Sequence, residues 1–313
     1  MSEAIYYALD KLLIVAAIAS VVMWTRVLIR GPGESSSLIE SIVPVRGREP
    51  SDWIQVIAGA LVMFGTHMIL YLSLLTFMIS QGWIETPAGN DQIDPPHAES
   101  AAASNASILA VSALNVAAGL ASIVVTLTFL YLMDSRSVRR LGLSICPPDV
   151  RLGLMASVML LPPVLMISAL VSLLWPYDHE VLDLLQNVKS PTIFLGMFFA
   201  TAIVTPGFEE MLFRVLIQGG LQRMIDRDET VAAEPASDAW RPRSYLPIVI
   251  ASAIFALMHL GQGAAPIPLF FLSLGLGYLY RQTGNITAPL VVHMALNSLT
   301  MIANFTETTG AGS

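Results

Sequence analysis

The sequence predicts an all-α fold, a polytopic membrane helix bundle with about eight transmembrane helices. Of the 313 residues, 55% are hydrophobic and only 12% are charged, whereas soluble domains carry about a quarter charged residues. The apolar residues cluster in runs of about 20, which suits a hydrocarbon core about 30 Å thick. The alternating pattern of a membrane β-barrel is absent, and helices satisfy their own backbone hydrogen bonds in lipid.

Eight apolar runs define the predicted spans, which are residues 12–29, 53–80, 106–133, 152–175, 191–225, 245–262, 266–282 and 286–304. The first run lacks a strong basic leader and a small-residue cleavage pattern, so it is interpreted as a retained span. The fifth would be about 50 Å long as a straight helix. We therefore expect it to be kinked or broken near Pro206. Glu209 and Glu210 would then begin a new helical stretch, at the positive end of its dipole.

Arginine is concentrated in every second connection between the spans, namely 30–52, 134–151 and 223–243. The alternate connections contain only one basic residue, Lys189. The positive-inside rule places the arginine-bearing loops in the cytoplasm, with both termini outside. We expect the plasma membrane as the location. The loops 82–104 and 226–244 are predicted to be mobile and solvated.

The chain is expected to form one membrane domain with two portions. Residues 1–150 supply N-terminal helices without a recognised motif, and residues 151–313 form the functional core. The net charge of −7 says little, since charge placement matters more in a membrane protein. The single cysteine, Cys146, excludes an internal disulfide and a cysteine-rich metal site. It is interpreted as a buried small apolar residue.

Ionisable groups inside spans cost about 2.5–3.5 kcal/mol each on insertion scales, so they indicate function. The middles of the spans contain few, and these are His67, Glu209, Glu210, Arg214, His259 and His293. Arg26 and Arg281 lie near span ends, where their side chains can reach the interface. Glu210 and Arg214 are four residues apart and can pair on one helix face. Glu209 lies about 100° away, which leaves it for another role. His67 is interpreted as a helix-packing residue that donates or accepts a hydrogen bond.

The two later histidines each share a helix face with a second residue. In the sequence FALMH these are Phe255 and His259, and in HMALN they are His293 and Asn297. Together with the glutamate pair, these groups can converge only in the interior of a bundle. They would supply a base, a proton shuttle and hydrogen-bond donors for an oxyanion.

The three motifs EEMLFR, FALMH and HMALN, in this order on late spans, resemble those of the CAAX protease and bacteriocin-processing family of intramembrane endopeptidases. That family includes the type II CAAX prenyl endopeptidase. The resemblance covers residues 190–304, with motifs at 209–214, 255–259 and 293–297. One departure is Val215, where many members of the family have glycine.

The resemblance implies a role for each matched residue. Glu209 would be the general base that activates water, and His259 would hold or deprotonate that water. His293 and Asn297 would stabilise the tetrahedral oxyanion. The supporting residues would be Glu210, Arg214 and Phe255.

The resemblance leaves metal dependence open, because the family is described both as metalloproteases and as metal-free glutamate proteases. Glu209, His259 and His293 could ligate Zn²⁺, but the sequence contains no HExxH helix. We favour a site without a cofactor. The expected partners are membrane lipid and a peptide or lipidated-protein substrate, with no nucleic acid. The oligomeric state is left open.

Two other functions fit the same residues. A non-catalytic scaffold or immunity protein could bind a peptide in the same cavity. A proton-coupled transporter could use the buried glutamates, histidines and arginine as a proton path.

Overall fold

All regular elements in the described part of this computed structural model are helices, which confirms the predicted fold class. The structure describes residues 2–30, 42–47, 49, 52–83, 98–175, 190–226 and 240–310. The helices are α1 (Ser2–Arg30), α2 (Trp53–Ser80), α3 (Ala98–Met133), α4 (Ser137–Arg140), α5 (Pro147–Ser172), α6 (Pro191–Ile225), α7 (Leu246–Leu257), α8 (Pro266–Thr283) and α9 (Thr287–Gly310).

All eight predicted apolar segments contain a helix, but they differ in length. Among the described residues, six helices are long and apolar enough to cross a membrane by length and composition. The other two are α7 and α8. With 12 residues, α7 is about 18 Å long, which is short for a core about 30 Å thick. Ile248 of α7 lies against Gly277 near the end of α8, so the two helices form an antiparallel hairpin. Helix α8 therefore ends at the same end of the bundle at which α7 begins.

The arginine-bearing connections meet at one end of the bundle. Arg46 forms an ion pair with the buried Asp149, 2.6 Å between Nη2 and Oδ1, and its backbone N–H donates to Gln282. The hydrogen bond to Asp149 raises the pKa of the Arg46 guanidinium above its ordinary value. Arg281 donates to the carbonyl of Arg243 at 2.6 Å. We call this the arginine end; it comprises residues 42–47, 134–146, 240–245 and 284–286.

Parts of the predicted connections lie outside the described residues. These are Arg48, Lys189 and Arg227, together with most of the two loops predicted to be mobile, 82–104 and 226–244. The predicted boundary between residues 1–150 and 151–313 is not tested by these contacts and stays a prediction.

Near Pro206, where a kink or a break was predicted, α6 has no break and is continuous from Pro191 to Ile225. The irregularity takes another form: the helix widens into π-helix at Phe199–Val204 and again at Met211–Gln218. Proline lacks an N–H and its ring crowds the carbonyl four residues before it. A π turn directly before Pro206 is one way in which a helix absorbs such a disturbance. The glutamate pair therefore lies inside a continuous helix, and the argument from a helix N-terminus does not apply.

Helix α3 packs closely along the first half of α6. A Cβ at Gly196 would lie 2.9 Å from Leu109, and one at Gly119 would lie 4.0 Å from Val204. The residue numbers at these two contacts increase together along both helices, so α3 and α6 run parallel to each other. The predicted spans 106–133 and 191–225 were both expected to start at the end opposite the arginine end. The parallel direction of α3 and α6 agrees with that expectation.

Gly142→Ala is expected to destabilise the fold strongly. Gly142 has a φ of +70° at the arginine end, and a Cβ there would collide with the backbone carbonyl of Gly284. Gly82 is the matched control, since its φ is +71° and a Cβ there would meet no described atom within 4 Å. The left-handed conformation alone costs an L-residue about 1–2 kcal/mol. Thermal unfolding in detergent should show the larger loss for Gly142→Ala, and equal losses would contradict the close approach.

Candidate active site

Glu210 lies at the centre of a buried network that joins α6, α8 and α9. Its Oε2 accepts a hydrogen bond from Arg214 Nε at 3.1 Å, and its Oε1 lies 2.8 Å from His293 Nδ1. Arg214 also donates to Ser273 of α8 at 2.7 Å. Both Glu210 and Arg214 are fully buried. The ion pair expected from their spacing is therefore present, and it links helices that are distant in sequence.

Glu209 differs from its neighbour because it is partly open to a cavity. Its side chain is 17% exposed, with Oε2 3.4 Å from His293 Nε2 and Oε1 3.9 Å from His259 Nε2. A separation of 3.9 Å is too long for a direct hydrogen bond. It is a distance at which a bridging water can act.

The orientation of His259 follows from its backbone contact. Its Nδ1 lies 2.7 Å from the carbonyl oxygen of Phe255, and a carbonyl can only accept, so Nδ1 carries the hydrogen. The Nε2 atom then faces Glu209. In predicted spans that both start at the arginine end, His259 comes late (245–262) and His293 comes early (286–304). Full-length spans would therefore place the two histidines at different depths. Helix α7 ends early, at Leu257, and the following turn places His259 beside Glu209.

Asn297 and Phe255 complete the set of predicted residues. Asn297 donates one amide hydrogen to the carbonyl of Thr201 at 2.9 Å, within the first π-helical stretch of α6. An asparagine amide has two such hydrogens, and Asn297 also lines the cavity. Phe255 is fully buried and packs edge-on against His293, with ring centroids 5.9 Å apart.

Both ring nitrogens of His293 face carboxylate oxygens. This arrangement fits an imidazolium, which donates from both nitrogens. With a positive charge on His293, the charges of the cluster sum to zero: two carboxylates, Glu209 and Glu210, face two cations, Arg214 and His293. Balance matters here because an unpaired charge away from water costs several kcal/mol.

The cavity next to Glu209 has a volume of about 470 Å³. Its walls come from α3, α6, α9 and the turn between α7 and α8, with Phe255 of α7 and Leu269 of α8. A span without a recognised motif, α3, therefore contributes to the site. The lining residues that the sequence analysis did not single out include Ser107, Ser112, Asn115, Thr201 and Gln262.

Of these residues, Asn115 had a detectable signal, because an amide side chain is unusual within a membrane span. Ser273 and Thr201 gave none. Serine and threonine commonly bond their own helix backbone, so their presence in a span indicates little.

His67 does not join the site. Its ring packs against Phe208, with centroids 4.5 Å apart, and against Tyr71 at 6.2 Å. It therefore contacts the residue that precedes Glu209 and reaches none of the motif side chains through a described hydrogen bond.

No group of three or more His, Cys, Asp or Glu side chains that could hold a metal ion is found in the part of the chain that the structure describes. The predicted zinc ligands, Glu209, His259 and His293, do face one another, and the contact of His293 Nδ1 with Glu210 leaves Nε2 as the nitrogen that faces Glu209. A carboxylate on the other ring nitrogen is also what metal-ligating histidines commonly have.

The fold and site together define a polytopic helical membrane protein with a glutamate–histidine cluster at a cavity inside the bundle. Residues 191–299 match the family described as Rce1-like, the type II CAAX prenyl endopeptidase Rce1-like family. The resemblance seen in the three motifs is thereby confirmed over this segment, which contains every matched residue. It supports an intramembrane protease of the CAAX type in general. No curated protein and no solved structure was found to match the chain.

Glu210→Ala is expected to destabilise the protein by about 3–5 kcal/mol, because it leaves the guanidinium of Arg214 buried without a counter-charge. The double variant Glu210→Ala/Arg214→Met should recover part of this loss. Glu209→Ala is the matched control and should lose less stability than Glu210→Ala, since Glu209 is partly open to the cavity. Thermal unfolding in detergent measures all three. Equal stability of the two single alanine variants would show that the network is not what holds the helices together.

Proposed function

We propose that this chain is an intramembrane endopeptidase that hydrolyses a peptide bond in a membrane-associated peptide or protein. A lipidated, CAAX-like chain terminus is one substrate that fits. The observation that carries the proposal is the contrast within the glutamate pair. Glu210 is sealed in an ion-pair network, whereas Glu209 is open to a cavity and has two histidine Nε2 atoms close by.

The proposed mechanism uses a water molecule held between Glu209 and His259. Glu209 removes a proton as the water oxygen attacks the carbonyl carbon of the substrate. The resulting oxyanion accepts hydrogen bonds from His293 and from the second amide hydrogen of Asn297. When the C–N bond breaks, Glu209 passes the proton to the leaving amine. Glu210 and Arg214 do not touch the substrate; they hold His293 in place.

We favour chemistry without a metal ion. The support is the position of His293 between two carboxylates, since an imidazolium has no lone pair to offer a metal. A zinc enzyme would use Glu209, His259 and His293 as ligands, with the metal polarising the carbonyl and activating water.

We further propose that the arginine end lies in the cytoplasm and that the plasma membrane is the location. The support is that the described parts of the arginine-bearing connections all meet at one end of the bundle. Their sorting then follows the positive-inside rule.

Glu209→Gln is expected to lower peptide cleavage by about 10²- to 10⁴-fold, the usual contribution of a general base, while the protein still accumulates in the membrane. The measurement compares membrane-peptide products between wild-type cells and cells with the variant, by mass spectrometry. Asn304→Ala is a control on α9, because the Asn304 amide bonds to Thr300 within its own helix.

The outcome of this comparison separates the three candidate functions. Undiminished cleavage by a well-folded Glu209→Gln protein rules out the proposed mechanism. A scaffold would keep its function in that variant and yield no product in either strain. A proton-coupled transporter would show substrate flux in proteoliposomes that Glu209→Gln abolishes.

Removal of metal ions is expected to leave the activity unchanged. Purified protein dialysed against a chelator should cleave at the original rate, and elemental analysis should find less than one metal ion per chain. Loss of activity that added Zn²⁺ restores, together with stoichiometric zinc that disappears in His259→Ala, would instead establish the metal-dependent form.

A further inference from the structure

The cavity extends from Glu209 away from the arginine end. On α6 its lining runs from Glu209 back to Met197, at most about 18 Å at the rise of an α-helix. On α3 it includes Ser107 and Asn115. The C-terminal end of α3 leads into the arginine end, so Ser107 belongs to the opposite end of the bundle.

The walls of this cavity carry almost no charge. Among its described lining residues, the ionisable ones are Glu209, His259 and His293, the proposed reaction groups. The rest are apolar or are uncharged polar residues such as Ser107, Ser112, Asn115, Gln262 and Thr300. A lysine or aspartate side chain bound there would lose its hydration and find no partner apart from the reacting groups, which costs free energy.

Asn115 is the amide among the residues of α3 that line the cavity, and its side chain is exposed. Further along the helix, Ser122 and Thr126 are buried and bond to carbonyls of their own helix. Within the described part of the chain, the Asn115 amide has no hydrogen-bond partner, although it lies in a membrane span and lines the cavity. Polar groups in spans usually face the bundle interior or a wet cavity and take part in function.

The amide of Asn115 has the chemistry to hold a peptide backbone, because it offers both a donor and an acceptor. Ser112 lies on the same wall, nearly one turn before it. Gln262, in the turn that carries His259, has a buried side-chain oxygen without a partner among the described residues. These groups suit the N–H and C=O groups of an extended chain, which must be satisfied when they leave water.

We infer that the cavity binds a peptide segment without charged side chains, that this segment enters at the Ser107 end of α3, and that Asn115 binds its backbone. The inference rests on the proposed function, since it names the substrate class of the same site. It places entry opposite the arginine end. With the arginine end in the cytoplasm, this favours a substrate presented from the other face of the membrane over a lipidated terminus in the cytoplasm. It also assigns substrate binding to a span that carries no motif.

Peptide binding to the Glu209→Gln protein in nanodiscs tests the inference without turnover. The probes are fluorescent peptides with an uncharged core of six residues, and matched peptides with one Lys or Asp in that core. We expect the charged-core peptides to bind at least about tenfold more weakly. Equal affinity for both sets would overturn the inference.

Substitution of Asn115 provides the second arm. Asn115→Ala in the same background should weaken binding of the uncharged peptide about three- to tenfold, as for one neutral hydrogen bond, and Asn115→Gln should restore part of it. Ser122→Ala is the control on the same helix and should leave the affinity unchanged. If Asn115→Ala also leaves it unchanged, Asn115 does not bind the substrate.

Labelling of single cysteines tests the direction of entry. In a Cys146→Ser background, Ser107→Cys and Ile145→Cys report on the two ends; Ile145 lies at the arginine end and is 85% exposed. An impermeant maleimide should label one site in right-side-out vesicles and the other in inside-out vesicles. The uncharged peptide should slow labelling at position 107 only. Labelling of both sites from the same face, or peptide protection at position 145 alone, would overturn the inferred entry.

These arms separate the inference from the proposed function. Binding that depends on Asn115 and on an uncharged core, without cleavage by the wild type, would remove the protease proposal and keep the inference. Cleavage by the wild type, with binding that tolerates charge and ignores Asn115, would remove the inference alone.

Discussion

The site depends on one buried carboxylate, that of Glu210. One of its oxygens faces Arg214 and the other faces His293, so a single side chain ties two turns of α6 to α9. The network is costly to assemble away from water and is favourable only when every charge has a partner. That requirement fixes the orientation of His293, and with it the distance between His293 and Glu209. The position of His293 next to Glu209 therefore depends on the buried carboxylate of Glu210.

Irregular helix geometry positions the rest of the site. The π-helical stretch at Phe199–Val204 contains the carbonyl of Thr201 that receives Asn297, and it precedes the short α-helical stretch that carries the glutamate pair. Helix α7 is short and ends at Leu257, and the turn that follows brings His259 beside Glu209. Departures from a straight, full-length span thus occur at the points where the reacting groups must meet, as is common for π-helical turns.

The sequence predicted the helices and the motif residues well, because both depend on local patterns. Apolar runs identify spans, and Glu209, Glu210, Arg214, His259 and His293 stand out against an uncharged background. It predicted an irregularity of α6 near Pro206 as a kink or a break, whereas the structure shows a continuous helix that widens into π-helix. The form of the irregularity depends on neighbouring helices, which the sequence does not show. Ser273 and Thr201 were invisible for a related reason: their roles arise from contacts between helices.

The two ends of the bundle differ in a way that bears on how a substrate arrives. At the arginine end, backbone and side-chain contacts join the connections: Arg46 bonds to Gln282, and Arg281 to Arg243. The cavity lies on the other side of Glu209 and has an uncharged wall on α3. A chain that entered through the arginine end would have to part these contacts, whereas the cavity already extends toward the opposite end. Helix α3, which carries no motif, then acts as one wall of the substrate path, and this accounts for an amide on α3 that bonds to none of the described residues.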